Sequence, residues 1–177
     1  MKRRRNSLRH PDHDYTRPGA YFITICAYKG NALFGQIVDG VMQLNPLGLI
    51  AHQAWLDLPK RHPYISVDPF VIMPNHGHAM LWILAEPGES GVSRQYAKPI
   101  AGSISSLVQA YKTAVTKLAV NAGLIPGPPL WQRNFYDHIV RTDQELANIR
   151  EYIRTNPARW LTDQLHPDGP PNMFNQW

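Results

Sequence analysis

Hydrophobic and polar residues alternate along this chain at two periods, one typical of strands and one typical of helices. Apolar runs rich in β-branched and aromatic residues predict strands. These runs cover residues 21–28, 64–72, 76–84 and 135–141, the last as an edge strand. Residues 36–44 predict a short hairpin that turns at Asp39-Gly40.

Apolar residues at helical spacing predict three helices, of which the first covers residues 47–58. The second keeps this spacing over four turns, at Ile104, Leu107, Val108, Tyr111, Val115 and Leu118. The third begins at Thr142, where Thr142 and Glu145 form a capping box in which each side chain can bond the other's N–H. It ends near Asn156, because Pro157 disfavours helical geometry there. Its core stripe is Leu146, Ile149 and Ile153.

Antiparallel strands alternating with two or three helices predict one α+β domain. The chain of 177 residues, 44% of them hydrophobic, is long enough to bury an ordinary core. We expect residues 1–17 to form a basic N-terminal arm, residues 18–160 the folded domain and residues 161–177 a C-terminal tail. Residues 86–99, with glycine, serine and proline, predict a loop.

The most informative candidate for a functional site is the pair His76 and His78, which begins the predicted strand over residues 76–84. The period of two along a strand puts both imidazoles on one face, where they can hold one metal ion. An isolated His-x-His matches often by accident, and a polar patch at a strand end is the alternative. A single cysteine in the chain excludes a cysteine-rich structural zinc site.

A second cluster lies on the third predicted helix. Tyr152 and Asn156, at i and i+4, align one turn apart on the flank of the apolar stripe, where they would border a cleft. The alternative for Asn156 is a cap of the helix C-terminus. As a ligand, its amide oxygen would complete a set with His76 and His78, leaving positions open for phosphate oxygens and water. We expect Mg²⁺ and Mn²⁺ both to serve, with Mn²⁺ bound more tightly.

Three motifs together resemble a known family. Met73-Pro74-Asn75-His76-Gly77-His78, then Trp131-Gln132-Arg133-Asn134-Phe135, then Arg150-Glu151-Tyr152-Ile153 with Asn156-Pro157 are similar to the REP-associated tyrosine transposases. These are relatives of the single-tyrosine transposases in the HUH nuclease superfamily. The likeness spans roughly residues 3 to 160 in order. Gly77 departs from it, since the family usually has a bulky apolar residue there. That position points away from the metal, so the expected loss is packing rather than ligation.

The resemblance implies a ferredoxin-like, RRM-like antiparallel sheet, with the histidines on a central strand and helices packed on one face. It also implies that Tyr152 attacks single-stranded DNA, forms a 5′-phosphotyrosine link and frees a 3′-hydroxyl. A tyrosine hydroxyl, with a reference pKa of about 10, needs a divalent cation to polarise the phosphate. The implied substrate is a palindromic, REP-like hairpin flanked by a short single-stranded tag.

Several basic residues are candidate DNA contacts. The N-terminal Arg3, Arg4 and Arg5 can enter a groove as a flexible arm or remain a solvated tail. Arg133 follows Trp131, which predicts a phosphate contact beside a stacked base unless Trp131 is core. Arg150 and Arg154 share the Tyr152 helix and are candidate phosphate clamps. His138 is a candidate partner of the site, a DNA contact or a structural histidine.

Net charge and cysteine content agree with this interpretation. A formal charge of +5 and a pI near 9.5 favour a polyanionic partner. The lone Cys26 excludes an internal disulfide and, within an apolar run, is expected to be buried and inert. No apolar stretch approaches the roughly 20 residues of a membrane helix. We expect a cytoplasmic, nucleoid-associated monomer or homodimer.

Two other functions remain open at the sequence level. One is a catalytically inactive protein that only binds hairpin DNA or RNA on a ferredoxin-like sheet. The other is a metal-dependent hydrolase in which Tyr152 orients a water molecule. Among the other tyrosines, Tyr111 lies on an apolar stripe and is expected in the core. Tyr136 alternates along a strand and could border the site.

Overall fold

Strands and helices follow one another along the chain much as the hydrophobic pattern predicts. The computed structural model describes residues 14–84 and 102–169. Within these residues the strands are β1 Gly19–Cys26, β2 Gly35–Val38, β3 Val41–Leu44, β4 Ile65–Ile72, β5 His76–Ile83 and β6 Tyr136–Val140. The helices are α1 Pro46–Leu56, α2 Leu58–Arg61, α3 Ile104–Asn121 and α4 Asp143–Thr155, with 3-10 helices at Tyr28–Gly30 and Pro157–Thr162.

The main sheet has four antiparallel strands in the order β4-β5-β1-β6. The order of elements β1-α1-β4-β5-α3-β6 and this strand order are those of a ferredoxin-like α+β fold, which confirms the predicted fold class. β5 is a central strand, which pairs with β4 along one edge and with β1 along the other. β6 lies at the edge, as expected.

The hairpin of β2 and β3 turns at the predicted dipeptide. Asp39 has a φ of 50° and Gly40 a φ of 74°. Two consecutive positive φ angles define the tight turn that matches the twist of antiparallel strands, and glycine and aspartate tolerate them better than most residues. The hairpin forms a separate two-stranded sheet.

Helices α1 and α3 cover one face of the main sheet and enclose the larger core. Tyr21, Ile23 and Ile25 of β1 point into this core, where Trp55 of α1 meets Tyr111 of α3 edge to face. The Tyr111 hydroxyl donates to the Ala51 carbonyl at 3.1 Å, which confirms it as a core residue. Leu118, predicted on the same stripe, is instead 46% exposed, because Ala119 takes the buried position at the end of α3.

The opposite face of the sheet carries a smaller core beneath α4. Ala20, Met80 and Ile153 are buried there, and Leu146 and Ile149 pack around them. Thr142 caps the helix as predicted, since its hydroxyl accepts the Glu145 N–H at 3.1 Å. The predicted return bond to Thr142 is wrong. The Glu145 carboxylate accepts the Arg141 N–H at 2.7 Å and the His138 Nε2–H at 2.6 Å, so it joins β6 to α4 instead.

The chain beyond α4 folds back onto the sheet. Asn156 keeps right-handed helical geometry, with φ −57° and ψ −43°, and Pro157 starts the 3-10 helix. The left-handed conformation of a terminal asparagine cap is therefore not adopted. Residues 163–166 then return towards the start of β5, where the Asn75 amide donates to the Leu165 carbonyl at 2.7 Å.

Some sequence predictions lie outside the described residues. These are the arm with Arg3, Arg4 and Arg5, the loop over residues 86–99 and the end of the predicted tail. The division into arm, domain and tail stays a prediction. None of the helices within residues 14–84 and 102–169 has the length and apolar character needed to cross a membrane.

Candidate active site

The two histidines lie on one face of β5, as the strand period predicts. Their rings meet edge to face with centroids 4.5 Å apart, and their Nε2 atoms are 3.1 Å apart. Both side chains are buried, and they lie on the face that carries α4 rather than in the larger core. The position between them, Gly77, points to the other face, where an added Cβ would lie 3.3 Å from the Ile72 Cδ1 atom.

Neighbouring side chains orient both imidazoles. The Asn75 amide nitrogen donates to the carbonyls of Gly30 and Leu165, so its oxygen is free to accept from His76 Nδ1–H at 2.7 Å. Thr24, opposite His78 in β1, places its hydroxyl 2.8 Å from His78 Nδ1. An Nδ1–H bonded in this way leaves Nε2 as the lone-pair nitrogen, which is how metal-binding histidines are commonly held.

Burial keeps both imidazoles neutral. It lowers the pKa of His76 to about 3, and burial together with the neighbouring His76 lowers the pKa of His78 well below its ordinary value. Imidazole nitrogens lie about 2.1 Å from a bound metal such as zinc, and two such bonds at right angles place the nitrogens roughly 3 Å apart. The observed 3.1 Å fits one shared cation.

Tyr152 brings its hydroxyl from α4 to this pair of nitrogens. The hydroxyl donates to His78 Nε2 at 3.1 Å, and the two rings meet edge to face with centroids 5.1 Å apart. Phe22 packs beside both rings, stacked on His78 and edge-on to Tyr152. Burial, followed by the nearby Asp163 carboxylate, raises the pKa of Tyr152 to about 12. The hydroxyl is therefore protonated at neutral pH. It faces a cavity of about 310 Å³ that Tyr136 and Gln164 also line.

Asp163 supplies a carboxylate oxygen beside the histidines, and Asn156 is bonded to this carboxylate. The Asn156 amide nitrogen donates to one Asp163 carboxylate oxygen at 3.0 Å, and the Leu165 N–H donates to the other at 2.7 Å. The Asn156 oxygen is buried and has no hydrogen-bond partner in the described part of the chain. A buried acceptor without a partner costs stability unless a cation or water satisfies it. The donor set therefore fits a metal ion.

Asp163 is the residue that sequence reasoning missed. A ligand oxygen of Asp163 and one ring nitrogen each of His76 and His78 all lie within 4.8 Å of one another, so these three residues could hold a metal ion. No spacing motif links Asp163 to Tyr152 or to the histidines. The available signal was that Asp163 is the first acidic residue after Glu151. Its place at the site depends on the turn that follows Pro157.

The candidate DNA contacts on and near α4 are held by intramolecular hydrogen bonds, two of which are also ion pairs. Arg150 bonds Asp68 of β4, Arg154 bonds Glu151 one turn away, and His138 bonds Glu145. These pairs do not test contact with nucleic acid, and a role for the three basic residues in DNA binding stays a prediction.

Two residues of the segment before β6 lie in different surroundings, Trp131 in the core and Arg133 at the surface. Trp131 is 9% exposed, stacks on Phe34 and donates its Nε1–H to the Lys112 carbonyl at 3.2 Å, so it belongs to the core. Arg133 lines a groove of about 550 Å³ along α3, together with Lys117.

Cys26 is buried, and burial raises its pKa to about 12, which fits the inert thiol expected.

Comparisons with known proteins agree with the fold and the motifs. No family model matches the chain. An uncharacterised protein of Haemophilus influenzae is 37% identical over 171 residues, covering 93% of this chain and 94% of that protein. A second protein of that organism, named "Putative REP-associated tyrosine transposase", is 24% identical over 163 residues, covering 92% of this chain and 84% of that protein.

A solved structure supports the same relationship at the level of fold. It is a REP-associated tyrosine transposase bound to a REP hairpin, with a TM-score of 0.57 and 16% identity, covering 96% of this chain and 94% of that chain. This likeness extends over the whole sheet with its helices. The chain is therefore similar in sequence to a putative REP-associated tyrosine transposase and shares its fold with a solved REP-associated tyrosine transposase.

Proposed function

We propose that the chain is a metal-dependent transposase that nicks and rejoins single-stranded DNA next to a hairpin, through a 5′-phosphotyrosine intermediate at Tyr152. The observation that carries this proposal is the hydroxyl of Tyr152, 3.1 Å from the Nε2 atom of His78, which is itself 3.1 Å from the Nε2 atom of His76. A nucleophile beside two oriented, neutral imidazoles is the arrangement that metal-assisted phosphoryl transfer needs.

The proposed metal ligands are His76, His78 and Asn156, with the Asp163 carboxylate as a fourth group. Two nitrogens and two oxygens suit Mn²⁺, and the open positions and the oxygens also suit Mg²⁺. The bound cation would polarise the scissile phosphate and stabilise charge developing on its oxygens. The partnerless Asn156 oxygen and the 3.1 Å between the two imidazole nitrogens support this assignment.

The reaction exchanges one phosphodiester for another. The Tyr152 oxygen forms a bond to phosphorus while the bond to the 3′ oxygen of the preceding nucleotide breaks. The tyrosine proton leaves, and the freed 3′ oxygen gains a proton to become a hydroxyl. Attack by a 3′-hydroxyl of another strand reverses these steps and rejoins DNA without an external energy source. Phe22 packs beside Tyr152 and His78 and helps to hold both rings in place.

Hairpin DNA is the proposed partner. A related transposase is known bound to a REP hairpin, and this chain carries a formal charge of +5, which favours contact with phosphates. Arg133 and Lys117, on the rim of the groove along α3, are the described cations that we assign to the DNA backbone. The arginines at positions 3, 4 and 5 are proposed to add to this attraction.

The test is a denaturing gel of the protein incubated with labelled hairpin DNA and Mn²⁺. Wild type should give a labelled protein–DNA adduct, and Tyr152→Phe should give none because only the hydroxyl is lost. Tyr136→Phe is the matched control, since Tyr136 lines the same cavity. A free 5′-phosphate product without adduct would indicate a hydrolase. Hairpin binding without any product would indicate an inactive binding protein, and either result refutes the proposal.

A further inference from the structure

We propose that Asp68 is a positioning residue for the nucleophile, because it fixes helix α4, and with it Tyr152, against the strand that carries the histidines. This inference rests on the proposed function for its catalytic consequence. Its structural part, the attachment of α4 to β4 and β5 through the Asp68 carboxylate, can be tested separately.

Asp68 lies at an irregularity in β4. Val67 pairs with Leu81 and Phe70 pairs with Ala79, so the two residues Asp68 and Pro69 oppose a single residue of β5. Such a bulge re-aims side chains in an edge strand, and the edge also tolerates Pro69, which has no N–H to donate. The bulge directs the Asp68 carboxylate towards the face of the sheet on which α4 lies.

One oxygen of this carboxylate accepts hydrogen bonds from side chains of two other elements. Asp68 Oδ2 accepts the Trp82 Nε1–H at 3.1 Å and the Arg150 Nε–H at 3.0 Å, and it also bonds the Arg150 Nη2 group. Trp82 belongs to β5, on the same face as His76 and His78. Arg150 precedes Tyr152 by two residues on α4. A single atom thus joins the nucleophile's helix to the strand of the metal ligands.

The packing of α4 makes this connection important. Ile153 is the fully buried apolar residue of the helix, whereas Leu146 and Ile149 are only partly buried. With so narrow an apolar contact, polar bonds must also hold the helix in place: the Glu145 bonds hold its first turn to β6, and the Asp68–Arg150 pair holds the turn next to Tyr152. The Asp68 side chain is 17% exposed, so its ion pair is better shielded from solvent than a surface pair. A displacement of about 1 Å at a reacting atom can cost about a hundredfold in rate.

Helix α4 also offers a matched control. Arg154 bonds Glu151 through two hydrogen bonds of 2.9 and 2.6 Å, so this pair has the same charges as the Arg150–Asp68 pair. Both of its side chains lie on α4 and are 70% and 58% exposed. Breaking it removes an ion pair from the same helix without releasing the helix from the sheet.

The experiment compares Asp68→Asn, Arg150→Gln and their double variant with Glu151→Gln, which breaks the control pair without changing a candidate DNA contact. Three quantities are measured: the rate of adduct formation at saturating hairpin and Mn²⁺, the dissociation constant for the hairpin, and hydrogen–deuterium exchange of the peptide covering α4. Exchange in α3 serves as the internal reference. The Arg150 side chain is 44% exposed on the helix surface, so Arg150→Gln breaks the same ion pair even if Asp68→Asn folds poorly.

We expect Asp68→Asn and Arg150→Gln each to slow adduct formation at saturating hairpin by about tenfold or more, and Asp68→Asn to change hairpin affinity by about twofold or less. Their double variant should be no slower than the slower single variant, because both changes break one connection. Exchange in α4 should rise relative to α3. Glu151→Gln should change the rate by less than about twofold.

Three results would overturn the inference. Equal rates for the Asp68 and Glu151 variants would show that the connection to the sheet has no effect on the nucleophile. Slower adduct formation with unchanged exchange in α4 would mean that Asp68 acts in another way. Effects that add in the Asp68/Arg150 double variant would show two independent roles. If wild type forms no adduct, the proposed function fails, and exchange in α4 alone decides whether Asp68 holds the helix.

Discussion

Replacing His76 with glutamine should flatten the dependence of folding stability on pH in the metal-free protein. Burial lowers the pKa of His76 in the folded chain to about 3. In the unfolded chain the imidazole is expected to titrate near its ordinary pKa of about 6.5. Between these two values the unfolded state binds a proton that the folded state does not. Stability therefore falls as the pH falls through this window.

The size of the effect follows from the two pKa values. From about pH 7 to about pH 5, proton uptake by the unfolded imidazole should remove about 2 kcal/mol of the free energy of unfolding. Burial and the neighbouring His76 lower the pKa of His78 in the folded chain too, so His78 adds to the loss in the same direction. Bound metal would oppose this loss, because a ligand that binds only the folded state stabilises it.

Urea unfolding near pH 7 and near pH 5, in excess chelator, measures this effect. The drop in unfolding free energy between the two pH values should be about 2 kcal/mol smaller in His76→Gln than in wild type. Tyr152→Phe is the control, since it removes the hydrogen bond to His78 but no imidazole. If the drop in unfolding free energy is the same in His76→Gln and wild type to within about 0.5 kcal/mol, the inference that His76 is buried and neutral is refuted. Differences below this size are too small to interpret reliably.

Three further outcomes are expected. Asn156→Leu should raise the Mn²⁺ concentration needed for half-maximal adduct formation about tenfold or more, as loss of a group that holds a metal site usually does, whereas Asn156→Asp should lower it. Gly77→Ala should raise the free energy of unfolding by about 0.5 kcal/mol, measured by urea, because the flexible end of Ile72 can yield to the new methyl group. Arg133→Ala should weaken hairpin binding and reduce the salt dependence of log Kd by about one unit, without changing the adduct rate at saturation.

Much of the fold was predictable because local patterns in this chain agree with its tertiary structure. The apolar runs and the helical stripes identified every strand of the main sheet and the three long helices. The turn at Asp39-Gly40 and the cap at Thr142 follow from the backbone preferences and hydrogen bonds of those residues. The end of α4 follows from the missing N–H and the ring of Pro157. These features depend on residues close together in sequence.

The individual positions at the ends of elements were less predictable. Leu118 follows the helical spacing of the α3 stripe, yet it is exposed, and Ala119 takes the buried position instead. Glu145 has the spacing of a capping box, yet its carboxylate bonds Arg141 and His138. The position of α3 against the core decided the first case, and the place of β6 beside the start of α4 decided the second.

By itself the sequence determined the elements, the common face of His76 and His78, and the alignment of Tyr152 with Asn156, because each depends on the repeat of one strand or one helix. Only the tertiary structure decided which groups surround them. Asp163 reaches the histidines through the turn after Pro157 and the bond from Asn75 to the Leu165 carbonyl. Asp68 reaches Arg150 across 82 residues of sequence. Contacts between residues so far apart depend on how whole elements pack, which no local period of the sequence encodes.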